Sequence, residues 1–438
     1  MLILSKIIFK PNMLQRTTAP EIIDAVDFNL HLPPCEEYTL DNGVQVYSIS
    51  AGAQEVTMVE LVFFAGNWYE DKNIIAATTN FMLKNGTTTK TAFEINEHFE
   101  YYGAYLNRHC YNETATITLH CLNKHLNEVL PVISELITDS IFPDEELAIY
   151  QQNQKQRLEV NLKKCDFVAN RLIDEYVFGI NHPYGKYTTM VDYNALQRSE
   201  VAEFYNQYYR NGQCVIFVAG KLSADVQQQL NMVFGQLPLN NTIGKQKDHT
   251  IDAAIQKKFS IINDESSVQG AVRIARPFPN RHHPDFIPSQ VLNNLFGGFF
   301  GSRLMANIRE DKGYTYGIHS YFQNHLHNSA WMISTEAGRD VCEATIKEVY
   351  KEMQLLRDEP VDDDELLLVQ NYMMGSILGD LDGPFQIIAR YKNYVLNNLT
   401  TDYFYNSINT IKTITPAHVQ QLAQKYLNPH EFYELLVV

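Results

Sequence analysis

The feature that most constrains what this chain can fold into is a plan written twice. An amphipathic stretch over about 126–140 runs into Phe142-Pro143, and Asp144-Glu145-Glu146-Leu147 then opens a second helix. Two hundred residues on, a stretch over about 341–357 runs into Glu359-Pro360, and Asp362-Asp363-Asp364-Glu365-Leu366 opens another. Each proline ends the helix before it, since it lacks an N–H and its ring disfavours helical backbone in the preceding residue. The acids that follow suit the positive end of a new helix. The prolines stand 217 positions apart (143 to 360), close to half of the 438 residues, and that offset argues for a duplication.

What precedes each proline supports the same reading. In the first half, alternation predicts a strand over 56–64, helices over 74–83 and 92–102, and paired strands over 104–110 and 113–121. In the last of these, Thr114, Thr116 and Thr118 alternate with Ala115, Ile117 and Leu119. In the second half a helix over 288–310 precedes strands over 314–323 and 330–337. Each half is therefore expected to be an α+β unit, an antiparallel-rich mixed sheet with helices packed mainly on one face. The apolar run 214–220, ending in Gly220, reads as a buried strand closing the first sheet. Polar residues over 239–256 lack apolar periodicity and read as a linker. The expected organisation is an N-terminal extension at 1–18, a first domain at 19–238 and a second at 257–438, with Met1 or Met13 as the start.

Composition bounds the partners. Asp and Glu outnumber Lys and Arg by 51 to 35, a formal charge of −16 that repels phosphate backbones and anionic lipid, so nucleic acid and membrane surfaces are not expected. The early apolar run 2–9 is broken by Ser5 and Lys6 and is far shorter than the roughly 20 residues of a membrane span. Six scattered cysteines without a C-x-x-C pair fit reduced thiols in the cytoplasm.

Several segments are more specific. They are Ala65-Gly66-Asn67-Trp68-Tyr69-Glu70, Met82-Leu83-Lys84-Asn85-Gly86-Thr87, His182-Pro183-Tyr184-Gly185, and the long run from Ser302 through Arg309 and Gly313 to Tyr316. In this order and spacing they resemble the insulinase/pitrilysin and mitochondrial-processing-peptidase family, over nearly the whole chain. The resemblance implies a LuxS/metallohydrolase-like duplication with an inverted zinc motif, H-x-x-E-H, in the first domain. Its five positions fall here on Ala77-Thr78-Thr79-Asn80-Phe81, and the family's third ligand, a Glu, falls near Gln156 or Arg157. Methyl, amide and phenyl groups offer zinc neither ligands nor a base, and an Arg repels a dication. Glu159 is turned away from the old direction by the helix. No metal or cofactor is expected on this chain, and no peptidase activity from it alone.

The second domain differs, because Arg309 and Tyr316 match the residues that active members place over the substrate. Arg309 falls in a last helical turn, Gly313 supplies the left-handed residue that ends it, and Tyr316 follows on a strand, sharing a face with Tyr314. Such a pair can donate to a peptide carbonyl and to a developing oxyanion. The resemblance thus implies a non-catalytic subunit that lends Arg309 and Tyr316 to a sister chain with an intact H-x-x-E-H, where the zinc resides. An extended peptide lies between them, and a homodimer is the alternative assembly. Two other readings are a peptide-binding or scaffold protein without proteolysis, and a peptidase with a relocated metal. For the last, His319, His325 and His327 are the nearest cluster, with His282-His283 adjacent, but they read as solvated loop histidines without a nearby base. His120 and His125 do not share a helical face. Gly297-Gly298-Phe299-Phe300-Gly301 resembles the family's glycine-containing loop, a flexible segment near a peptide channel; without G-K-[ST] it is no nucleotide site.

Overall fold

The computed structural model of the chain describes residues 28–240 and 247–438. The expected extension with Met1 and Met13 lies outside them, as do residues 241–246 of the expected linker. The first domain runs β1 (Glu36–Thr39), β2 (Gln45–Ser50), β3 (Val56–Phe63), α1 (Ile75–Met82), α2 (Ala92–Tyr101), β4 (Tyr105–Cys110) and β5 (Ala115–Leu122). It continues with α3 (Leu126–Thr138), α4 (Asp144–Asn161), α5 (Cys165–Phe178), α6 (Met190–Ala195), α7 (Arg198–Tyr205), β6 (Cys214–Gly220) and α8 (Val226–Phe234). The second runs β7 (Lys258–Ile261), β8 (Gln269–Phe278), α9 (Phe286–Asn293), β9 (Thr315–Asn324), β10 (Ser329–Gly338) and α10 (Cys342–Asp358). After these come α11 (Asp363–Gly379), α12 (Pro384–Leu396), α13 (Asp402–Thr413), α14 (Pro416–Tyr426) and β11 (Tyr433–Val437).

The duplication is visible strand by strand. The first sheet has the order β1-β2-β6-β3-β5-β4 and the second β7-β11-β8-β10-β9. Matching β2 to β7, β6 to β11, β3 to β8, β5 to β10 and β4 to β9 makes the orders identical, with β1 as an added edge. In each sheet one pair is parallel, β2 with β6 and β7 with β11, and the neighbouring pairs are antiparallel. Both proline turns open their helices as the acids predict: α4 starts at Asp144 directly after Pro143, and α11 starts at Asp363, its Asp362 side chain accepting from the Glu365 N–H.

Each sheet carries its own helices on one face and a helix of the other domain on the second face. The helix after the first proline helix, α5, lies on β8 and β11; its counterpart α12 lies on β2 and β6. Strand β6 shows how the alternation serves this: Ile216 and Val218 join the first domain's core, while Phe217 and Ala219 join the second's. One half-buried ion pair fixes the α5 seam. Arg273 of β8, 1% exposed, donates to Asp166 of α5, whose side chain is 42% exposed, and, at 2.8 Å, to Asn170. Without Asp166 the guanidinium keeps Asn170 and the Val272 and Thr335 carbonyls as acceptors, so Asp166→Ala is expected to lower stability by about 1–2 kcal/mol in denaturant unfolding. Removing surface Asp71, which pairs with Lys247, is expected to change it by under about 1 kcal/mol.

Two other features place the site. Residues 247–256 run along the first domain as a strap, with Asp252 N–H donating to Phe178 O at 3.2 Å and Ala254 N–H to Tyr176 O at 2.9 Å. The helix expected over 288–310 is instead broken: α9 stops at Asn293, Gly297 leaves helical geometry, Phe299 is extended, and a π-helical turn resumes at Met305. The chain passes so close to β9 here that a Cβ on Gly297 would sit 2.8 Å from Ser320 and from Leu304.

Candidate functional site

Helix α1 presents Ala77 and Phe81 on one exposed face, one turn apart, as metal ligands at those positions would be. Asn80 points inward instead, donating to the Tyr209 hydroxyl at 3.1 Å and to Thr116 O at 3.3 Å. The Phe81 ring packs 4.7 Å from Tyr150 of α4. From β4, Arg108 lies 5.4 Å from the centre of that ring and donates Nη1 to the Phe81 carbonyl. Among the described residues Arg108 has no carboxylate partner, and burial pushes its guanidinium down to about 10. An aromatic ring and a half-buried cation therefore stand on the face where ligands would be. Arg157 does not join them. It lines a separate cleft with Gln154, Asp174 and Tyr193, and α4 meets Phe81 through Tyr150, two turns or about 10 Å earlier. These residues do not fit a zinc ion. Among the described residues no group of three or more His, Cys, Asp or Glu is placed to hold any metal.

The second-domain pair is brought together. Arg309 sits in the π-helical turn Met305–Asp311, Gly313 ends it with φ of 66°, and Arg309 Nε donates to the Tyr316 carbonyl at 3.0 Å. The guanidinium also stacks 4.6 Å from the ring centre of Phe300. Tyr316 precedes Ile318 and Ser320 by two and four residues, and both of those are buried, so regular pleating would bury it too. A β-bulge prevents this. Thr335 pairs with Ile318 but Ala337 pairs with Thr315, so Tyr316 and Gly317 together face Glu336. Thr315 and Thr335 hold the bulge, the Gly317 N–H donating to Thr315 Oγ1 at 3.0 Å and Thr335 Oγ1 to Gly317 O at 2.9 Å. Tyr316 ends 92% exposed. Bulges commonly re-aim one side chain in this way beside functional sites.

Arg309 and Tyr316 lie outside the space beside the zinc-motif position. Ala77 faces a cleft of about 600 Å³ between the domains, lined across from it by Asn324 to Leu326 and by α12. Asn324 is the last residue of β9 and Tyr316 lies eight residues earlier on that strand, about 26 Å away. Neither Arg309 nor Tyr316 lines the cleft.

The expectation of solvated loop histidines fails for His325 and His327. The hairpin between β9 and β10 is plugged into the first domain, where His325 stacks on Tyr184 at 3.8 Å and His327 on Trp68 at 4.1 Å. His182 and His249, the latter from the strap, complete the cluster around Trp68. Glu113 accepts from the Leu326 N–H at 3.1 Å and from the Tyr184 hydroxyl. These contacts join residues far apart in sequence; His319, by contrast, is exposed on its strand. Burial first, then neighbouring imidazoles, pushes His182 and His325 down to about 4 from 6.5. Both are neutral in the fold, whereas the unfolded chain takes up their protons near 6.5. Their contribution is complete above 6.5 and is lost as pH falls toward 4. From pH 7 to pH 5, wild type is expected to lose several degrees more Tm than the His182→Gln/His325→Gln double variant in thermal scans. Equal losses would rule the contribution out.

Comparisons with known proteins give the family. Residues 45–182 match the family model described as insulinase (peptidase family M16), and residues 195–373 that described as the peptidase M16 inactive domain. An uncharacterized zinc protease of Bacillus subtilis, YmxG, is 23% identical over 387 residues, 86% of this chain and 92% of its own. The non-peptidase homolog YmxG of Helicobacter pylori is 24% identical over 306 residues, 67% of this chain and 69% of its own. A solved peptidase M16 inactive domain from Pseudomonas fluorescens shares the fold with a TM-score of 0.82 at 22% identity, over 92% of this chain and 98% of its own. The two family models take in most of both duplicated units, and the chain belongs to the M16 (insulinase) peptidase family, as a homologue without its zinc-binding motif.

Proposed function

We propose that this chain is the zinc-less subunit of a cytoplasmic, heterodimeric pitrilysin-like metallopeptidase, inactive alone, and that it lends Arg309 and Tyr316 to the site of a zinc-bearing sister chain. One observation carries the reading: a bulge turns Tyr316 out to solvent beside Arg309, about 26 Å along β9 from Asn324, which lines the cleft that Ala77 faces. So placed, the pair does not line that cleft. The pair is open to a second molecule. Arg309 then binds a carbonyl of an extended peptide, and the Tyr316 hydroxyl donates to the oxyanion developing in the partner's site. The relatives described as inactive or non-peptidase support the subunit lacking activity alone.

The test is co-expression with a similar-length M16 chain that retains H-x-x-E-H. The two chains are expected to co-purify in equal amounts and to cleave peptides together, neither doing so alone. Stable assembly without proteolysis in any pairing would favour a scaffold instead, and full activity of the zinc chain by itself would sink the proposal.

A further inference from the structure

A cavity of about 650 Å³ lies within the second domain, walled by α11, α12, α13 and β9. Two arginines enter its wall: Arg281 from the loop between β8 and α9, and Arg390 from α12. Arg390 is paired, donating Nη2 to Asp380 at 2.7 Å. Arg281 is not. Its Nη1 donates to the side-chain carbonyl of Asn393, and among the described residues no carboxylate lies within ion-pair distance. The Nε of Arg281, the Nε of Arg390 and the hydroxyl of Tyr403, also on this wall, are buried without hydrogen-bond partners.

Half-burying a guanidinium without a counter-charge is costly. Acidic residues are not scarce in a chain with 51 of them, yet none neutralises this one. The rest of the wall mixes aromatic and apolar side chains, Tyr321, Phe322, Tyr372 and Ile377 among them, with amides and hydroxyls, and its one carboxylate, Asp380, is the one paired with Arg390. Arg281, Asn324, Ala389 and Asn393 also line the interdomain cleft that Ala77 faces, so the two spaces adjoin at Arg281.

We infer that this cavity binds the carboxylate of an organic anion, either a small free acid or the C-terminus of a peptide, with Arg281 as its counter-ion and Arg390 and Tyr403 beside it. A guanidinium presents parallel N–H groups that match the two carboxylate oxygens. Tyr321, Phe322, Tyr372 and Ile377 take the apolar body of the ligand, and the volume falls in the range of ordinary small-molecule sites. This site stands apart from Arg309 and Tyr316 and does not depend on a sister chain.

The test is isothermal titration of the purified full chain with N-acetylphenylalanine and its amide, and with an Ala-Ala-Ala-Phe peptide as free acid and as amide. At least one free acid is expected to bind saturably, and its amide to bind about tenfold or more weakly. Arg281→Gln is expected to weaken the acid about tenfold, and Tyr403→Phe severalfold with its Tm unmoved. Preference for the peptide acid over the small acid, or the reverse, identifies the source of the carboxylate. Equal affinity for acid and amide overturns the inference, as does no saturable binding of either acid or unaltered affinity in a folded Arg281→Gln. Should Arg281→Gln not fold, the acid and amide comparison on wild type and the Tyr403→Phe variant decide.

Discussion

In a complex with a zinc-bearing sister chain, Arg309→Ala is expected to lower kcat/KM by about 100-fold or more while leaving the chain folded and the complex assembled. The size follows from the job. A donor aimed at developing negative charge in a water-poor site is worth about 3 kcal/mol or more, and Arg309 has a second duty, since its Nε holds the Tyr316 carbonyl. Loss of Arg309 therefore removes one donor and loosens the other. Tyr316→Phe deletes only the hydroxyl and is expected to lower kcat with little change in KM, by about tenfold to 100-fold. Arg309→Lys keeps the charge but not the fork, and is expected to recover little. The stability controls differ: Tyr316 is 92% exposed, so Tyr316→Phe is expected to move unfolding by under about 0.5 kcal/mol, whereas the Arg309 side chain is 35% exposed and gives up a hydrogen bond and a ring contact, about 1–2 kcal/mol. Unchanged kcat/KM in an assembled Arg309→Ala complex would remove the clamp from the mechanism.

The local halves of this reading were legible in sequence, and the long-range halves were not. Alternation placed β3 and β5, and a continuous apolar run placed β6, within two residues of their observed ends; a strand with one face in each core is apolar throughout. The two Phe/Glu-Pro-acid turns marked the duplication, because helix ends are decided by their own first and last residues. The single helix expected over 288–310 broke because helical periodicity says nothing about how near β9 passes Gly297. Tyr316's exposure depends on a bulge, for which Gly317 inside an otherwise alternating strand was the one available signal. Nothing in sequence pointed to Arg108: it lies 27 residues beyond Phe81 and reaches it only when β4 packs beside α1. The histidines failed for the same reason. Their partners Trp68 and Tyr184 belong to motifs of the other domain.

Arg108 makes the loss of the metal site more than a loss of ligands, and this has a measurable consequence. Restoring the family's donors with Ala77→His, Asn80→Glu and Phe81→His, and placing a carboxylate where α4 meets residue 81 with Tyr150→Glu, supplies the groups zinc needs. We expect the quadruple variant to bind zinc poorly nonetheless. Arg108 is held to the main-chain carbonyl of residue 81, which no side-chain replacement there removes. A dication at a separation like the 5.4 Å between Arg108 and the present ring would be repelled by about 6 kcal/mol at an effective dielectric of 20. Structural zinc sites bind with about 10–16 kcal/mol, so this is a large fraction of the whole. Replacing Arg108 by Met in the same background is expected to raise zinc affinity by up to about 10,000-fold, read by chelator competition. Tight stoichiometric zinc in the quadruple variant, unaffected by Arg108→Met, would show the guanidinium to be a bystander. A guanidinium that must be removed before zinc returns would mean that the first domain was rebuilt around a positive charge. The second domain, with Arg309 and an outward Tyr316, would then be the part of the old machinery still able to meet a peptide.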